Sequence, residues 1–282
     1  AKQAVCNAVL SVVNPNDEVI IPAPCWVSYI EMVKLAEGKS IVIRTGIEQD
    51  FKITTEQLSN AITSKTKAII LCSPSNPTGS VYSKSELKAL ADVLAKYPNI
   101  IIIADEIYEH INYIGKSESI AQFENIQDRV VIVNGVSKAY AMTGWRLGWM
   151  AAPKWVADAC NKLQGQYTSG PSSIAQKAAE AAYVGDQSCV SDMRQAFQRR
   201  RDLVVKLASD IEGFKVNVPE GAFYLFPECS YYFGKSYNGK TINTSADLAM
   251  FLLEEGHVAC VGGLAFEAPN YIRFSYATSD EN

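Results

Sequence analysis

Residues 133–148 read Val-Asn-Gly-Val-Ser-Lys-Ala-Tyr-Ala-Met-Thr-Gly-Trp-Arg-Leu-Gly. An apolar run at 130–133 leads into them and is typical of a buried β-strand. Lys138 follows this run with the hydroxyl of Ser137 directly before it, and Arg146 lies eight residues further on. A lysine between a buried strand and an apolar Trp/Leu segment is costly without a purpose. The pattern therefore indicates a functional amine at a strand end.

Two further polar motifs precede this segment. Residues 75–79 are Ser-Asn-Pro-Thr-Gly, and residues 104–108 are Ala-Asp-Glu-Ile-Tyr. Taken alone, Asn76 could belong only to a turn, and Asp105 could be only a helix N-cap. Beside Lys138, however, the motifs add an amide, a carboxylate and a phenol to an amine, each next to a turn or a strand end. Their joint occurrence favours one shared site.

Strand and helix patterns alternate along the first part of the chain. Apolar runs predict strands at 17–22, 40–44, 67–72, 100–104, 129–133 and 147–152, and amphipathic runs predict helices at 2–13, 27–37, 54–62 and 84–97. Apolar strands separated by helices are typical of a mostly parallel sheet that helices cover on both faces. The predicted fold class is therefore α/β, with the functional groups at the carboxyl ends of the strands.

The pattern changes after a long polar helix predicted around 186–210. Beyond it we predict strands at 214–218, 222–226, 258–261 and 271–275, a helix at 245–256 and a loop at 229–243. With 282 residues, the chain exceeds the size of one ordinary hydrophobic core. We therefore expect a large α/β domain at residues 1–195 and a smaller α+β domain at residues 196–282.

This set of functional groups matches the needs of pyridoxal phosphate. The cofactor has an aldehyde that a lysine captures as a Schiff base, and desolvation and cationic neighbours activate such an amine. Its pyridine nitrogen is an electron sink only while protonated, which a facing carboxylate favours. Its phosphate suits the planar fork of an arginine. Lys138, Asp105 and Arg146 are the matching residues, so the sequence predicts a pyridoxal phosphate enzyme.

Taken in order, the three motifs resemble those of the class I and II pyridoxal-phosphate-dependent aminotransferases. The similarity runs from residues 1–3 to residues 271–277 and falls within the bacterial and plastid branch of aspartate and aspartate/prephenate aminotransferases. It implies PLP fold type I, with a large domain and a small C-terminal domain, and a homodimer with active sites at the subunit interface. It also implies ping-pong transfer of an amino group from L-aspartate to 2-oxoglutarate in amino-acid metabolism.

The resemblance implies roles for individual residues around the cofactor ring. Lys138 matches the Schiff-base lysine, which also carries the substrate's α-proton. Asp105 matches the acid at the pyridine nitrogen, and Asn76 and Tyr108 match the groups that hydrogen-bond the phenolic oxygen. Trp26 matches the aromatic residue stacked on the pyridine ring. Of these residues, Trp26 and Asn76 are also expected to contact the substrate.

Other residues match binding positions for the phosphate and the substrate. Ser137 and Arg146 match phosphate ligands, and Ala1 and Lys2 match the start of a helix whose free amides cradle the phosphate. Arg273 matches the arginine that binds the substrate α-carboxylate. The position of Lys2 also reaches the distal carboxylate of dicarboxylic substrates in similar enzymes.

Two features depart from the family pattern. Relatives have a glycine directly before the position of Ala1 and, before it, a segment that carries substrate contacts. They also continue beyond residue 282 into a final helix, so we expect this chain to be part of a longer protein. Gly135 stands where some aminotransferase branches carry a serine phosphate ligand, although the aspartate aminotransferase branch also lacks that serine.

Several related reactions stay open at this point. Lys2 favours an acidic side chain on the substrate, but the same branch includes enzymes that use prephenate or arogenate, aromatic amino acids or alanine. Fold type I also includes β-lyases, which keep the same cofactor cage. A further class comprises non-catalytic regulators fused to DNA-binding modules, for which no helix-turn-helix segment is visible in the sequence.

The composition argues against other classes of function. A net charge of −4 disfavours nucleic acid or an anionic membrane as the main partner, and no apolar run reaches the roughly 18 residues of a membrane span. The seven cysteines are scattered without a Cys-x-x-Cys pair, and the two histidines are isolated. This pattern predicts neither a disulfide framework nor a metal site. We therefore expect a cytoplasmic enzyme.

Overall fold

A six-stranded sheet forms the centre of the protein in a computed structural model that describes residues 1–280. Its strands are β1 (Glu18–Ala23), β2 (Lys39–Arg44), β3 (Thr66–Cys72), β4 (Ile101–Asp105), β5 (Val130–Gly135) and β6 (Gly148–Ala151). They lie in the order β2-β1-β3-β4-β5-β6. The first five strands pair in parallel, and β6 pairs antiparallel with β5. The predicted α/β fold with a mostly parallel sheet is confirmed.

Helices cover both faces of this sheet. They are α1 (Lys2–Val12), α2 (Ser28–Leu35), α3 (Thr55–Ala61), α4 (Lys84–Leu94) and α5 (Lys154–Tyr167). Because side chains alternate along a strand, Ile70 and Ile103 pack on the face that holds α1, α2 and α5, whereas Ile69 and Ile102 pack on the face that holds α3 and α4. Burial on both faces explains why the strands are continuously apolar in sequence.

Local sequence signals define the ends of several helices. Thr54 caps α3 in a capping box with Gln57, and Ser83 caps α4 in a capping box with Glu86. Two further helices, α5 and α6 (Ser173–Val184), were not predicted from the sequence. Helix α6 buries only two of its residues, Ala175 and Ala179, so it packs lightly against the rest of the protein.

The C-terminal part of the chain builds a second, smaller sheet. Its strands are β7 (Tyr224–Leu225), β10 (Val261–Gly262) and β11 (Ile272–Ser275), and β8 (Ser236–Tyr237) and β9 (Lys240–Thr241) form a separate hairpin. The three-stranded sheet is antiparallel in the order β10-β11-β7. The long helix α7 (Ser188–Ser209) precedes this sheet, and α8 (Ser245–Gly256) lies within the same part of the chain.

The strand predicted at 214–218 is wrong. Within it, only Lys215 forms an isolated β-bridge, with Glu228. Pro219 follows directly, and a proline cannot donate to a sheet ladder and restricts the residue before it. The N–H groups of the next two residues instead donate to the carbonyl of Gly79, at 3.0 and 2.8 Å. These two residues, and the end of the segment that they anchor, are thereby held against the loop at 75–80 rather than within a sheet.

The fold brings the polar motifs to one edge of the large sheet. Cys72 and Asp105 are partners in the register of β3 and β4, so both strands end side by side. Asn76 lies in the loop after β3, and Lys138 lies in the turn after β5. Gly79 has a φ of +71°, which favours glycine, and this geometry closes the loop that carries Asn76.

Candidate active site

All ten residues that the sequence singled out line one cavity at this edge of the sheet, with a volume of about 340 Å³. They come from both sheets and from the start of α1. They are Ala1, Lys2, Trp26, Asn76, Asp105, Tyr108, Ser137, Lys138, Arg146 and Arg273. The cavity is therefore assembled from segments as distant in sequence as residue 1 and residue 273.

The amine of Lys138 lies at the centre of this group. Its Nζ atom is 5.7 Å from the centroid of the Tyr108 ring and 5.5 Å from that of Phe223. Burial lowers the pKa of the Lys138 amine, and the charges of Arg273 and Arg146 lower it further, while Asp105 acts in the opposite direction. Within residues 1–280, Lys138 forms no ion pair. A desolvated lysine of this kind gives up its proton more readily than a surface lysine does.

Asp105 is a buried carboxylate at the end of β4, with 3% of its surface exposed. The hydroxyl of Tyr29 donates to Oδ2 of Asp105 at 2.7 Å, and the N–H of Ile107 donates to Oδ1 at 3.3 Å. Burial raises the pKa of the Asp105 carboxyl, and the Tyr29 hydrogen bond is the largest effect that opposes burial. No lysine, arginine or histidine pairs with Asp105 in the described part of the chain. The charges of the Ala1 amine and of Lys138 act on this carboxyl from a distance and lower its pKa, so the site favours a cation beside Asp105.

Arg273 projects from β11 of the small sheet into the cavity. Its Nη1 atom donates to Oδ1 of Asn76 at 2.9 Å. The guanidinium lies between the rings of Tyr224 and Phe266, with its carbon 4.5 and 4.8 Å from their centroids. The Nε atom of Arg273 is buried and has no hydrogen-bond partner among residues 1–280. A planar guanidinium with an unused donor suits a carboxylate ligand.

A second group of residues around the cavity is suited to an anion. Helix α1 begins at Lys2 with no side-chain cap and no acidic residue in its first turn, so its first N–H groups are free. A Cβ atom on Gly148 would lie 1.9 Å from the nitrogen of Ala1, so only glycine permits this approach of helix and sheet. Ser137 and Arg146 line the same end. The helix dipole and the guanidinium together favour a bound phosphate or carboxylate.

Trp26 forms one wall of the cavity. Its ring contacts Tyr29 edge to face, with the centroids 5.4 Å apart and the planes at 88°. The Nζ atom of Lys2 lies 4.9 Å from the centroid of the Trp26 indole. The indole therefore offers a flat aromatic surface with a cation beside it.

Five further residues line the cavity that the sequence did not single out. They are Tyr29, Cys72, Ile107, Thr143 and Tyr224. Among them, Tyr224 shares a hydrogen bond of 2.8 Å between its hydroxyl and that of Tyr108. Its hydroxyl partner is 116 residues away, and no local pattern reports that contact.

Neither a metal-binding cluster nor a membrane-spanning helix is present among the described residues. Among residues 1–280, no group of three or more His, Cys, Asp and Glu side chains could hold a metal ion. Within the same residues, no helix combines the length and the apolar character that crossing a membrane requires. All seven cysteines are free thiols.

Comparison with known proteins gives a consistent result. A family model described as aminotransferase class I and II matches residues 1–282. A bifunctional aspartate aminotransferase and glutamate/aspartate-prephenate aminotransferase of Petunia hybrida is 48% identical over 285 residues, which are 99% of this chain and 59% of that protein. A probable aspartate/prephenate aminotransferase of Rickettsia bellii is 48% identical over 283 residues, which are 99% of this chain and 71% of that protein. The chain thus spans little more than half of the Petunia protein.

Solved structures share the fold along the whole chain. The crystal structure of an aspartate aminotransferase from Rhizobium meliloti superposes with a TM-score of 0.95 at 44% identity, covering 99% of this chain and 71% of that one. An aromatic aminotransferase from Pyrococcus horikoshii superposes with a TM-score of 0.92 at 37% identity, covering 99% of this chain and 74% of that one.

Proposed function

Because the chain belongs to the aminotransferase class I and II family, we propose that it transfers an amino group from L-aspartate to 2-oxoglutarate in a ping-pong reaction. One observation carries the proposal. Three groups face a single cavity: a buried carboxylate, a lysine of lowered pKa, and an arginine whose buried Nε has no hydrogen-bond partner within residues 1–280. The relatives named as aspartate aminotransferases support the same activity.

We propose pyridoxal phosphate as the cofactor. When bound, it supplies an electron sink for the charge that develops when an amino acid loses its α-proton. Asp105 fits the protonated ring nitrogen because it is buried and unpaired by any cation in residues 1–280. The free amides of α1 fit the phosphate, and Ser137 and Arg146 lie at the same end of the cavity to hold it.

The chain's own side chains would then orient and move the reacting groups. Lys138 would hold the cofactor covalently, and its free amine would take the proton from Cα of the substrate and return it. Trp26 would lie against the ring, while Asn76 and Tyr108 would hydrogen-bond its phenolic oxygen. Asp105 would keep the ring nitrogen protonated, because a negative charge favours the charged form of a neighbouring base.

Substrate recognition is proposed to rest on two cations. Arg273 holds the α-carboxylate with its guanidinium fork, and its position is fixed by Asn76 and by the two flanking rings. Lys2 lines the cavity beside Trp26 and would bind the distal carboxylate of aspartate or 2-oxoglutarate. Trp26 and Asn76 complete the substrate contacts.

A second candidate substrate is prephenate, the precursor of arogenate. The Petunia and Rickettsia relatives are named for prephenate as well as aspartate. Prephenate also carries two carboxylates, so the same pair of cations, Lys2 and Arg273, could bind it. Because the Pyrococcus relative is named as an aromatic aminotransferase, aromatic amino acids are further candidate donors. Alanine is another donor to be tested.

We also propose a homodimer with active sites at its interface, in the cytoplasm. Large apolar side chains are exposed on the large domain, among them Trp145, Trp149 and Trp155, at 46%, 37% and 52% exposure, and Trp149 lines the same surface as Arg146 and the start of α1. Their burial against a second copy would remove apolar surface from water. The free thiols suit a reducing compartment. The proposed domains, 1–195 and 196–282, meet within α7, which would connect them.

The proposal is tested by adding L-aspartate to the purified protein loaded with pyridoxal phosphate. We expect the visible absorption band of the bound cofactor to move to shorter wavelength and to return when 2-oxoglutarate is added. Oxaloacetate should accumulate in proportion to the change in absorption. Prephenate as acceptor, with aspartate or glutamate as donor, tests the second candidate. Pyruvate and ammonia from a cysteine-type substrate without any oxo acid would instead support a β-lyase. A band that forms but ignores every amino donor would contradict transamination.

Tyr29→Phe is expected to move the acid limb of the pH profile of kcat/KM to higher pH. The substitution removes the donor that opposes burial of Asp105, so the pKa of that carboxyl rises further. Loss of one hydrogen bond to a charged group predicts a shift of about one pH unit. Tyr82→Phe is the control, because Tyr82 is also a buried tyrosine but does not line the cavity. An acid limb that stays in place in Tyr29→Phe would contradict this role.

A further inference from the structure

Tyr224 and Tyr108 join the two sheets through a single pair of hydroxyl groups. Tyr224 lies on β7 of the small sheet, and Tyr108 follows β4 of the large sheet. Their oxygens are 2.8 Å apart, both side chains are buried, and both line the cavity. The Tyr224 ring also lies under the guanidinium of Arg273, 4.5 Å from its carbon. One side chain thus contacts both the proposed carboxylate-binding arginine and the proposed cofactor-binding tyrosine.

The hydroxyl pair has only two arrangements. A tyrosine hydroxyl has one hydrogen to donate and lone pairs that accept. If Tyr108 donates to Tyr224, it has no hydrogen left for a ligand in the cavity. If Tyr224 donates to Tyr108, the Tyr108 hydrogen is free to point into the cavity, and a hydroxyl that accepts a hydrogen bond becomes a stronger donor itself.

We propose that Tyr224 is a positioning residue that donates to Tyr108 and thereby directs the Tyr108 hydrogen at the phenolic oxygen of the cofactor. This inference rests on the proposed function, since it concerns the same cavity. Tyr224 itself acts through Tyr108 and is not assigned a catalytic role.

The charges around the two hydroxyls support this direction. Burial raises the pKa of Tyr224, and the charge of Arg273, whose guanidinium carbon lies 4.5 Å from the Tyr224 ring, acts against burial. Burial raises the pKa of Tyr108 well above its ordinary value, and the neighbouring Cys72 and Asp105 raise it further, with no arginine of residues 1–280 beside it to oppose them. Tyr224 is therefore the better donor of the two. Because Arg273 makes it so, a substrate carboxylate that neutralises Arg273 would weaken the donation to Tyr108.

The test is the pH midpoint of the visible absorption change of the protein loaded with pyridoxal phosphate, with no substrate present. This midpoint reports the pKa of the nitrogen that joins Lys138 to the cofactor. A hydrogen bond from Tyr108 makes the phenolic oxygen a poorer acceptor for the proton on that nitrogen. The hydrogen bond therefore lowers the pKa of the nitrogen. We expect Tyr224→Phe to raise the midpoint by about half a pH unit, as one hydrogen bond acting through a second would.

Two further variants separate positioning from packing. Tyr108→Phe should raise the midpoint more than Tyr224→Phe, and the double variant should equal Tyr108→Phe alone. Tyr276→Phe is the matched control, because Tyr276 is also buried and hydrogen-bonded to a tyrosine, Tyr113, but does not line the cavity. It should leave the midpoint unchanged. Equal shifts in Tyr224→Phe and Tyr276→Phe, or additive shifts in the double variant, would overturn the inference.

If Tyr224→Phe fails to fold, fluorotyrosine incorporated at position 224 tests the same inference, because it keeps the ring and the hydroxyl. Its more acidic hydroxyl is a stronger donor, so the midpoint should fall, and a rise would show that Tyr224 accepts rather than donates. The outcomes also separate this inference from the proposed function. If the unmodified protein gives no visible band with pyridoxal phosphate, the proposed cofactor is wrong. If the band forms and no substitution at Tyr224 moves its midpoint, only the positioning role is wrong.

Discussion

Lys138→Ala is expected to lower the turnover of aspartate and 2-oxoglutarate by at least about 10⁴-fold, because one substitution removes both the covalent anchor and the proton carrier. The other lysine that lines the cavity is Lys2. Because its amine lies over the Trp26 ring, we expect that it does not replace Lys138. The measurement is the rate of oxaloacetate formation at saturating substrate. The visible spectrum of the loaded variant should lose its dependence on pH, since that dependence belongs to the nitrogen of Lys138.

Two variants make this result specific. Lys138→Arg keeps a positive charge but cannot lose its proton, so it should be as inactive as Lys138→Ala. Lys88→Ala removes an exposed lysine that pairs only with Asp92 on the same helix, and it should leave turnover unchanged. A small primary amine added to Lys138→Ala should restore part of the rate, because the missing group is a free amine. Near-normal turnover of Lys138→Ala without added amine would exclude the proposed role.

Asp105→Asn is expected to lower kcat by about 10²–10³-fold, the size of effect that follows removal of one preorganised electrostatic group. The asparagine keeps the volume of the side chain and an oxygen that can accept from Tyr29, so the fold and the cavity should persist. What it loses is the negative charge that would keep the ring nitrogen protonated. Proton removal from the substrate should therefore slow most, measured as exchange of the α-hydrogen with deuterium from solvent.

The control for Asp105→Asn is Asp92→Asn on the exposed face of α4, which should change neither kcat nor hydrogen exchange. Binding of pyridoxal phosphate, followed by its absorption, should be weakened much less than kcat, because the phosphate contacts are unchanged. Unaltered α-hydrogen exchange in Asp105→Asn would show that the ring nitrogen does not need a carboxylate here. If Asp105→Asn bound the cofactor poorly but kept the kcat of the unmodified protein once loaded, Asp105 would act in cofactor binding alone.

Much of the large sheet could be predicted from the sequence because its signals are local. Continuous apolar runs of strand length arise where a strand is buried on both faces, as Ile69 and Ile70 are in β3. The small sheet was harder to predict, because β7 and β10 are only two residues long and depend on partners far along the chain. The predicted strand at 214–218 is wrong because only Lys215 finds a bridge partner there, and the chain just beyond Pro219 bonds to Gly79 instead.

The sequence by itself determined which chemical groups reach the cavity. Asn76, Asp105 and Lys138 each follow an apolar strand, and parallel strands must end at a common edge, so their meeting follows from order and spacing. The tertiary structure alone decided how those groups are held. Tyr29 donates to Asp105 across 76 residues, Tyr224 meets Tyr108 across 116, and Arg273 reaches Asn76 across 197. Such contacts depend on how the two sheets pack against each other, and no local run of residues encodes that packing.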